Sequence, residues 1–331
     1  MMNSSNNYSD VKYGIQSDAE RYFWAVYFLL ALLSSLIGDS LILIASFQRE
    51  AFKVSKLIVT VIQHIAIADL GSAIFSIPSL TSLVANKWVL GNALCYVKVY
   101  ASYAIYISAL FFIALLTMIK FLLLRYPLIV SGFSTKRVHQ ICALLWILSL
   151  ISPVAKLAVE KDDISFDYRV YACEYGYNAY NKLTKLILML TQVVIPNVVI
   201  IAATIPTLQY LVNARKSARR VRSSDPWRGA LTVFLTAAAY TVSTLPFCFY
   251  YIAANFAKKD LSERILINFH RTSSFLFMIN TVANVFIYSL AIPSFRKYVS
   301  SKFLSIVRVS GRDTTTATAG TYISLDPVNF Y

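Results

Sequence analysis

The chain is short of charge. Asp, Glu, Lys and Arg make up only 14% of its 331 residues, whereas 57% are hydrophobic. A soluble domain of this length could not hide that much apolar surface, so the composition excludes an aqueous globular protein and makes lipid the solvent. Acids are scarcer than bases, 16 against 31, for a net charge of +15. Histidine occurs three times, as His64, His139 and His270. These three are scattered between both membrane faces and are not expected to meet, which leaves no centre for an intramembrane metallohydrolase. No glycine-rich phosphate loop and no nucleophile–base pair stands out, so no enzyme is expected. The internal repeats common in transporters are absent. The amino end, Met1 to Gln16, is polar and lacks the basic-then-apolar plan of a cleaved signal peptide.

What the chain has is seven apolar stretches. A bilayer core of roughly 30 Å needs about 20 apolar residues as a helix. The stretches Tyr22–Phe47, Leu57–Val84, Ala93–Leu124, Val138–Ala158, Leu183–Val212, Ala230–Phe256 and Ile265–Leu290 all qualify. The fold class that follows is an all-α membrane protein, a bundle of seven transmembrane helices. Only short connectors separate the spans, so no independent soluble domain is expected.

Cations gather in alternate connectors. The first has Arg49, Lys53 and Lys56, and the third has Arg125, Lys136 and Arg137. The fifth has Arg215, Lys216, Arg219, Arg220, Arg222 and Arg228, and the end of the chain has Arg296, Lys297, Lys302 and Arg308. Excess Lys and Arg mark the cytoplasmic side, which predicts an extracellular amino end and a cytoplasmic carboxyl end at the plasma membrane. Beside membrane spans these clusters are read as partners of anionic membrane lipid and not of nucleic acid. Asn3-Ser4-Ser5 and Asn7-Tyr8-Ser9 are glycosylation sequons on the predicted outer face, a pattern common by chance.

Four cysteines allow three full pairings. Cys142 and Cys248 lie inside apolar spans, where a thiol acts as a small packing residue. Cys95 begins the third span and Cys173 lies in the loop before the fifth. A Cys95–Cys173 disulfide is expected in the oxidising exterior, tying the loop 160–181 over the mouth of the bundle.

Several landmarks then occur in order. The second span carries Ile-Ala-Ile-Ala-Asp, ending at Asp69. Trp88 and Gly91 precede Cys95. Trp146 and Pro153 lie in the fourth span, Pro196 in the fifth and Pro246 in the sixth. The seventh span ends Asn280-Thr-Val-Ala-Asn284-Val-Phe-Ile-Tyr288, and Phe295 follows. Together these resemble the rhodopsin-like (class A) G-protein-coupled receptors, from about Gly38 to Phe295. The resemblance implies an extracellular amino-terminal segment (1–21), a seven-transmembrane receptor domain (22–290), a short amphipathic eighth helix (291–308) and a disordered cytoplasmic tail (309–331). It also implies a receptor that binds an extracellular ligand and signals to a heterotrimeric G protein.

The departures from the family pattern are as informative. At the inner end of the third span the usual Asp/Glu-Arg-Tyr is Ile119-Lys120-Phe121. The sixth-span Cys-Trp-x-Pro is Ser243-Thr244-Leu245-Pro246, the seventh-span proline is Val285, and the first-span Gly-Asn is Gly38-Asp39. Thr204 stands where a fifth-span tyrosine is common. Several of these residues belong to the family's activation switch. The alternative reading is therefore a receptor-fold protein with weak or no G-protein coupling, a scavenger or scaffold.

The resemblance implies three groups of site residues. Asp39, Asp69, Asn280 and Asn284 form a polar core. A carboxylate near the middle of an apolar helix costs about 2.5–3.5 kcal/mol on insertion scales, so it must face the bundle and find partners. This core is a possible sodium or proton site. Ala109 stands where a hydroxyl ligand is often found, which counts against sodium, and two close carboxylates cannot comfortably both ionise. Ligand-binding residues would be Ser102, Tyr103, Tyr106, Phe247, Tyr250, Tyr251, Ser274 and Met278. Ser102 is not the aspartate of the amine-receptor branch, and Met278 is not the lysine that forms a retinal Schiff base, so no retinal is expected. Lys98, His270 and Arg271 near the mouth either favour an acidic or peptide ligand or are solvated rim charges. Coupling to a G protein would fall to Lys120, Phe121 and Tyr288. Thr314, Thr315, Thr316, Thr318, Thr321 and Ser324 in the tail suit phosphorylation and an arrestin partner, or belong to a plain solvated tail.

Overall fold

A backbone amide in hydrocarbon has no water to bond, so a spanning segment must satisfy its own hydrogen bonds, and a helix does so. The computed structural model describes residues 17–48, 51–52, 54–159, 164–167, 171–175, 186–187, 189–217, 225–256 and 263–302. Its helices follow the seven apolar stretches. They are α1 (Asp18–Ser46), α2 (Lys56–Ala85), α3 (Gly91–Arg125), the single turn α4 (Pro127–Ser131), α5 (Thr135–Val159), α6 (Ile195–Ser217), α7 (Asp225–Phe256) and α8 (Glu263–Ala291). Among the described residues α1, α2, α3 and the segment Leu190–Tyr210 are long and apolar enough to cross a membrane. Residues 293–302 are helical again after a break at Ile292.

The bundle closes on itself. Helix α1 packs on α2, α2 on α3, α6 on α7, α7 on α8, and α8 back on α1. Helix α3 is central, touching α2, α5, α6 and α7. Polarity is inverted relative to a soluble bundle. On α1, Phe23, Leu30, Ile37 and Ile44 recur every seventh residue and are 63%, 59%, 62% and 54% exposed. The opposite face buries Ser35 and Asp39 beside Phe28, Leu32 and Ile42. An apolar stripe turned outward and a carboxylate turned inward fit a lipid environment.

Local chemistry sets the helix ends. Ser17 accepts a hydrogen bond from the Glu20 amide at 3.1 Å, and the Ser-x-x-Glu spacing is that of a capping box. This starts α1 a turn before the apolar run at Tyr22. Buried hydroxyls inside the spans bond their own helix: Ser76 donates to the Ala73 carbonyl, Thr117 to Ala114, Thr207 to Ala203 and Thr244 to Tyr240. A hydroxyl therefore costs little in the bundle even without a partner on another helix. Proline is tolerated inside α2, α5, α6 and α7, at Pro78, Pro153, Pro206 and Pro246.

One element lies outside an all-helical expectation. Strands β1 (Ile164–Asp167) and β2 (Ala172–Tyr175) form an antiparallel hairpin, pairing Ser165 with Glu174 and Phe166 with Cys173. The side-chain period of two puts Ile164, Phe166 and Cys173 on one face and Ser165, Asp167 and Glu174 on the other. Ile164 and Cys173 are buried against Cys95 and Val99 of α3, with Phe166 packed beside them. The Cys95–Cys173 disulfide joins the hairpin to α3, with 5.5 Å between the two Cα atoms.

Close packing of α1 on α8 depends on one glycine. A Cβ placed on Gly38 would collide with the Val285 side chain. Gly38→Ala should therefore lower stability by about 1–3 kcal/mol, the usual cost of overpacking, although alanine is the better helix former. The double variant Gly38→Ala/Val285→Ala should recover part of that loss. Thermal unfolding in detergent checks both, and a neutral Gly38→Ala would mean that the two helices separate freely.

Candidate functional site

The polar core lies where α1, α2 and α8 meet. Asp39 and Asp69 are both buried, at 0% and 2% exposure. The Ser35 hydroxyl donates to Asp39 Oδ2 at 2.5 Å, one helical turn away. The Asn284 amide donates to Asp69 Oδ2 at 2.6 Å, bridging α8 to α2. The two carboxylates are close enough to repel each other, and Tyr288, also buried, follows Asn284 by one helical turn on α8. Asp39 Oδ1 and the Tyr288 hydroxyl have no hydrogen-bond partner among the described residues. Of the four residues expected here, Asp39, Asp69 and Asn284 come together, and the Asn280 side chain lies outside the described residues. Ser35 was not anticipated. A serine inside a helix ordinarily bonds its own backbone, so its sequence position gives no sign of a carboxylate partner.

The disulfide end of the bundle holds the expected ligand residues. Ser102 is half-buried, and Tyr106 and Tyr250 are buried. The Tyr103 hydroxyl donates to Gln192 Oε1 at 3.1 Å. Gln192 was not anticipated either, and its placement has a local cause. Residues Leu190–Val194 form a π-helical turn in which the Ile195 amide bonds the Leu190 carbonyl. Pro196 has no amide to give to the Gln192 carbonyl, which relaxes the α-helical ladder at this turn. The Asn197 side chain donates to the Val193 carbonyl at 2.8 Å, satisfying a group in the widened turn. Phe247, Tyr251, Ser274 and Met278 lie on α7 and α8, and their side chains are outside the described residues.

The three mouth residues Lys98, His270 and Arg271, read as contacts for an acidic or peptide ligand or as solvated rim charges, are all engaged within the protein. The His270 Nε2 lies 3.0 Å from Glu174 Oε2 of the hairpin. The His270 ring is stacked on Tyr250 at 4.3 Å between centroids. Arg271 pairs with Glu20 of α1 at 3.2 Å. The Lys98 ammonium donates to the Cys173 carbonyl at 3.5 Å and attracts Glu174. The hairpin is further pinned by Tyr171, whose hydroxyl donates to Asn86 Oδ1 at 2.7 Å. Trp88 closes its own turn by donating to the Gly91 carbonyl at 2.8 Å.

At the opposite end Lys120 is buried, at 8% exposure. The Phe121 ring meets Tyr126 edge-on at 6.1 Å. Tyr288 is fully buried, and Phe52 from the first connector packs against both Tyr288 and Phe295, at 6.3 Å and 5.1 Å. The histidines give a correction. His270 stays apart, but His64 and His139 meet, with Nε2 and Nδ1 3.2 Å apart, and Trp146 donates to His64 Nδ1 at 3.3 Å. The packing of α5 on α2 brings together residues that sequence spacing keeps far apart. Asn3, Asn7 and the tail beyond residue 302 lie outside the described residues.

A sequence model described as 7 transmembrane receptor (rhodopsin family) matches residues 38–288. The chain belongs to that family. Its members are receptors and not enzymes, and they are multi-pass membrane proteins. Among relatives, the mouse melatonin receptor type 1A is 21% identical over 84% of this chain and 79% of its own length. The human probable G-protein coupled receptor 174 is 23% identical, covering 88% of this chain and 89% of its own. A swinepox virus G-protein coupled receptor homolog, K2, is 29% identical over 47% of this chain and 41% of its own. Squid rhodopsin superimposes with a TM-score of 0.74 at 14% identity, covering 88% of this chain and 87% of that one, and shows the shared fold.

The polar core yields a test of its own energetics. Asn284→Ala should destabilise the protein by about 1–3 kcal/mol, because Asp69 loses its amide donor in a buried site. Asp39→Asn should stabilise it, because it removes one of two repelling carboxylates and still accepts from Ser35. Thermal unfolding of the two variants in the same detergent reads both signs. Equal losses would mean that the two carboxylates do not oppose each other.

Proposed function

We propose that the chain is a plasma-membrane receptor that binds an extracellular ligand at the disulfide end and signals to a heterotrimeric G protein at the Lys120 end. The observation that carries this reading is the connected polar core. Asp69 is bonded to Asn284, and Tyr288, one helical turn further along α8, packs through Phe52 on Phe295. This column runs from the middle of the bundle to Phe295 at the Lys120 end, and its two carboxylates have more than one way to share a proton. Ligand binding would bias a pre-existing equilibrium between two bundle arrangements. The cation-rich connectors support a cytoplasmic Lys120 end and an extracellular amino end. Residues 293–302 would lie along the inner membrane surface, with Phe295 turned inward and Arg296 and Lys297 turned out.

The ligand follows from neither fold nor family. Relatives named as melatonin and chemokine receptors match at similar identity, so the family does not select a ligand class for this chain. The polar core acts here as a proton-sharing site and not a sodium site, since Ala109 brings no hydroxyl and Ser35 already serves Asp39. The tail hydroxyls from Thr314 to Ser324 would recruit arrestin once phosphorylated.

One observation favours a second reading, a receptor fold with weak coupling. Lys120 has Ile119 beside it where the family has an acid, and an ammonium cannot make the bidentate contacts of a guanidinium. Measuring ligand-independent G-protein activation in cells separates the two readings. Lys120→Arg should raise signalling and Lys120→Ala should abolish it. Normal signalling by Lys120→Ala would remove this end as the coupling centre. Asp39→Asn should alter the pH dependence of that signal, and an unchanged pH profile would sink the shared-proton reading.

A further inference from the structure

The hairpin register sets two acids on one face. Ser165 pairs with Glu174, so Asp167, two residues along β1, projects from the same face as Glu174 in a diagonal position. That face meets α8 at His270. One ligand atom from each of Asp167, Glu174 and His270 lies within 4.8 Å of the other two. His270 is 4% exposed, and its ring is held by stacking on Tyr250. The hairpin itself is held by the Cys95–Cys173 disulfide and by Tyr171 on Asn86. The three potential ligands are thus carried by two separately supported elements, the hairpin and α8.

The geometry points to a binding site for a divalent transition metal, zinc by its donor chemistry, formed by Asp167, Glu174 and His270. Zinc takes imidazole nitrogen and carboxylate oxygen at about 2.0–2.2 Å in tetrahedral geometry, which places neighbouring ligand atoms about 3.3 Å apart. The His270 Nε2 to Glu174 Oε2 separation is 3.0 Å. The Asp167 carboxylate oxygen lies within 4.8 Å of both, so the third edge closes by a shorter approach of that carboxylate. An imidazole ligand disfavours calcium and magnesium, which take oxygen. Three protein ligands leave a fourth position open to water or to a further donor. The two carboxylates balance the metal charge, and the nearby Lys98 ammonium, which attracts Glu174, moderates the affinity.

Binding requires the imidazole with its Nε2 lone pair free, so a proton on that nitrogen and a zinc ion exclude each other. Among the described residues, His270 is faced by Asp167 and Glu174 from the hairpin and by Tyr250 from α7, with Lys98 of α3 acting on Glu174. Acidification should therefore weaken binding, because proton and metal compete for the same atoms. The bound metal would link the hairpin to α8 across the mouth of the bundle.

The test is titration of the full-length protein, purified in detergent, with zinc chloride by calorimetry in two buffers of different ionisation enthalpy. The expected result is saturable one-to-one binding on the order of micromolar, with proton release and a raised unfolding temperature. His270→Ala and the isosteric Asp167→Asn and Glu174→Gln should each weaken binding by more than the roughly 10–100-fold that outer-shell changes cost. His139→Ala, in the other histidine pair, should bind like the parent. Variants count as folded when they keep the disulfide and their metal-free unfolding temperature. Should a variant fail that check, the remaining isosteric variant decides. No saturable binding by the parent protein, full binding by His270→Ala, or loss only in His139→Ala overturns the proposal. None of these readouts depends on ligand or G protein, so the receptor reading stands or falls separately.

Discussion

Lipid supplies no hydrogen bonds, and the rest of the structure depends on that constraint. Each span closes its own backbone ladder, and many buried serine and threonine hydroxyls, Ser76, Thr117, Thr207 and Thr244 among them, find a carbonyl within their own helix. Groups that cannot be satisfied locally must reach another helix. Asp69 reaches Asn284, and Tyr103 reaches Gln192. The few cross-helix polar bonds are therefore concentrated where local chemistry runs out. In a soluble bundle such contacts compete with water, whereas here the alternative is an unpaired group in hydrocarbon.

The substitutions at family landmark positions form a related set. Gly38 leaves room for Val285, so the missing seventh-span proline is matched by a bulky aliphatic side chain against a bare backbone. Asp39 replaces an amide by an acid but keeps a polar partner through Ser35. Ser243 and Thr244, standing where the family has cysteine and tryptophan, both bond the Tyr240 carbonyl and so stay within their own helix. The sixth span has exchanged a large ring for hydroxyls that need no neighbour.

Much of this was legible before any coordinates. Seven apolar runs give seven helices because lipid accepts apolar residues on every outward face. Asp69 and Asn284 were legible because a polar residue within an apolar run must turn inward. The hairpin was not legible, since four alternating residues in a mixed-charge loop are a weak signal, and an isolated two-stranded hairpin needs packing from elsewhere, here against Cys95 and Val99 of α3. Asp167, Glu174 and His270 come from two elements far apart in sequence, and only packing brings them together. His64 and His139 were hidden for the same reason. Gln192 was missed on different grounds, because the helical period that would have placed it is interrupted.

That interruption also bears on alignment. A π-helical turn carries one more residue than the α-helical turn it replaces, and one residue corresponds to about 100° of rotation. Residues before Leu190 are therefore turned out of phase with those after Ile195 when judged by an uninterrupted 3.6-residue period. Pairing this chain with a relative whose fifth span lacks the turn calls for a one-residue gap between Leu190 and Val194. Without that gap, residues facing lipid on one side of the turn would be matched to residues facing the bundle interior, and a substitution pattern drawn across the fifth span would compare surfaces that never coincide in space.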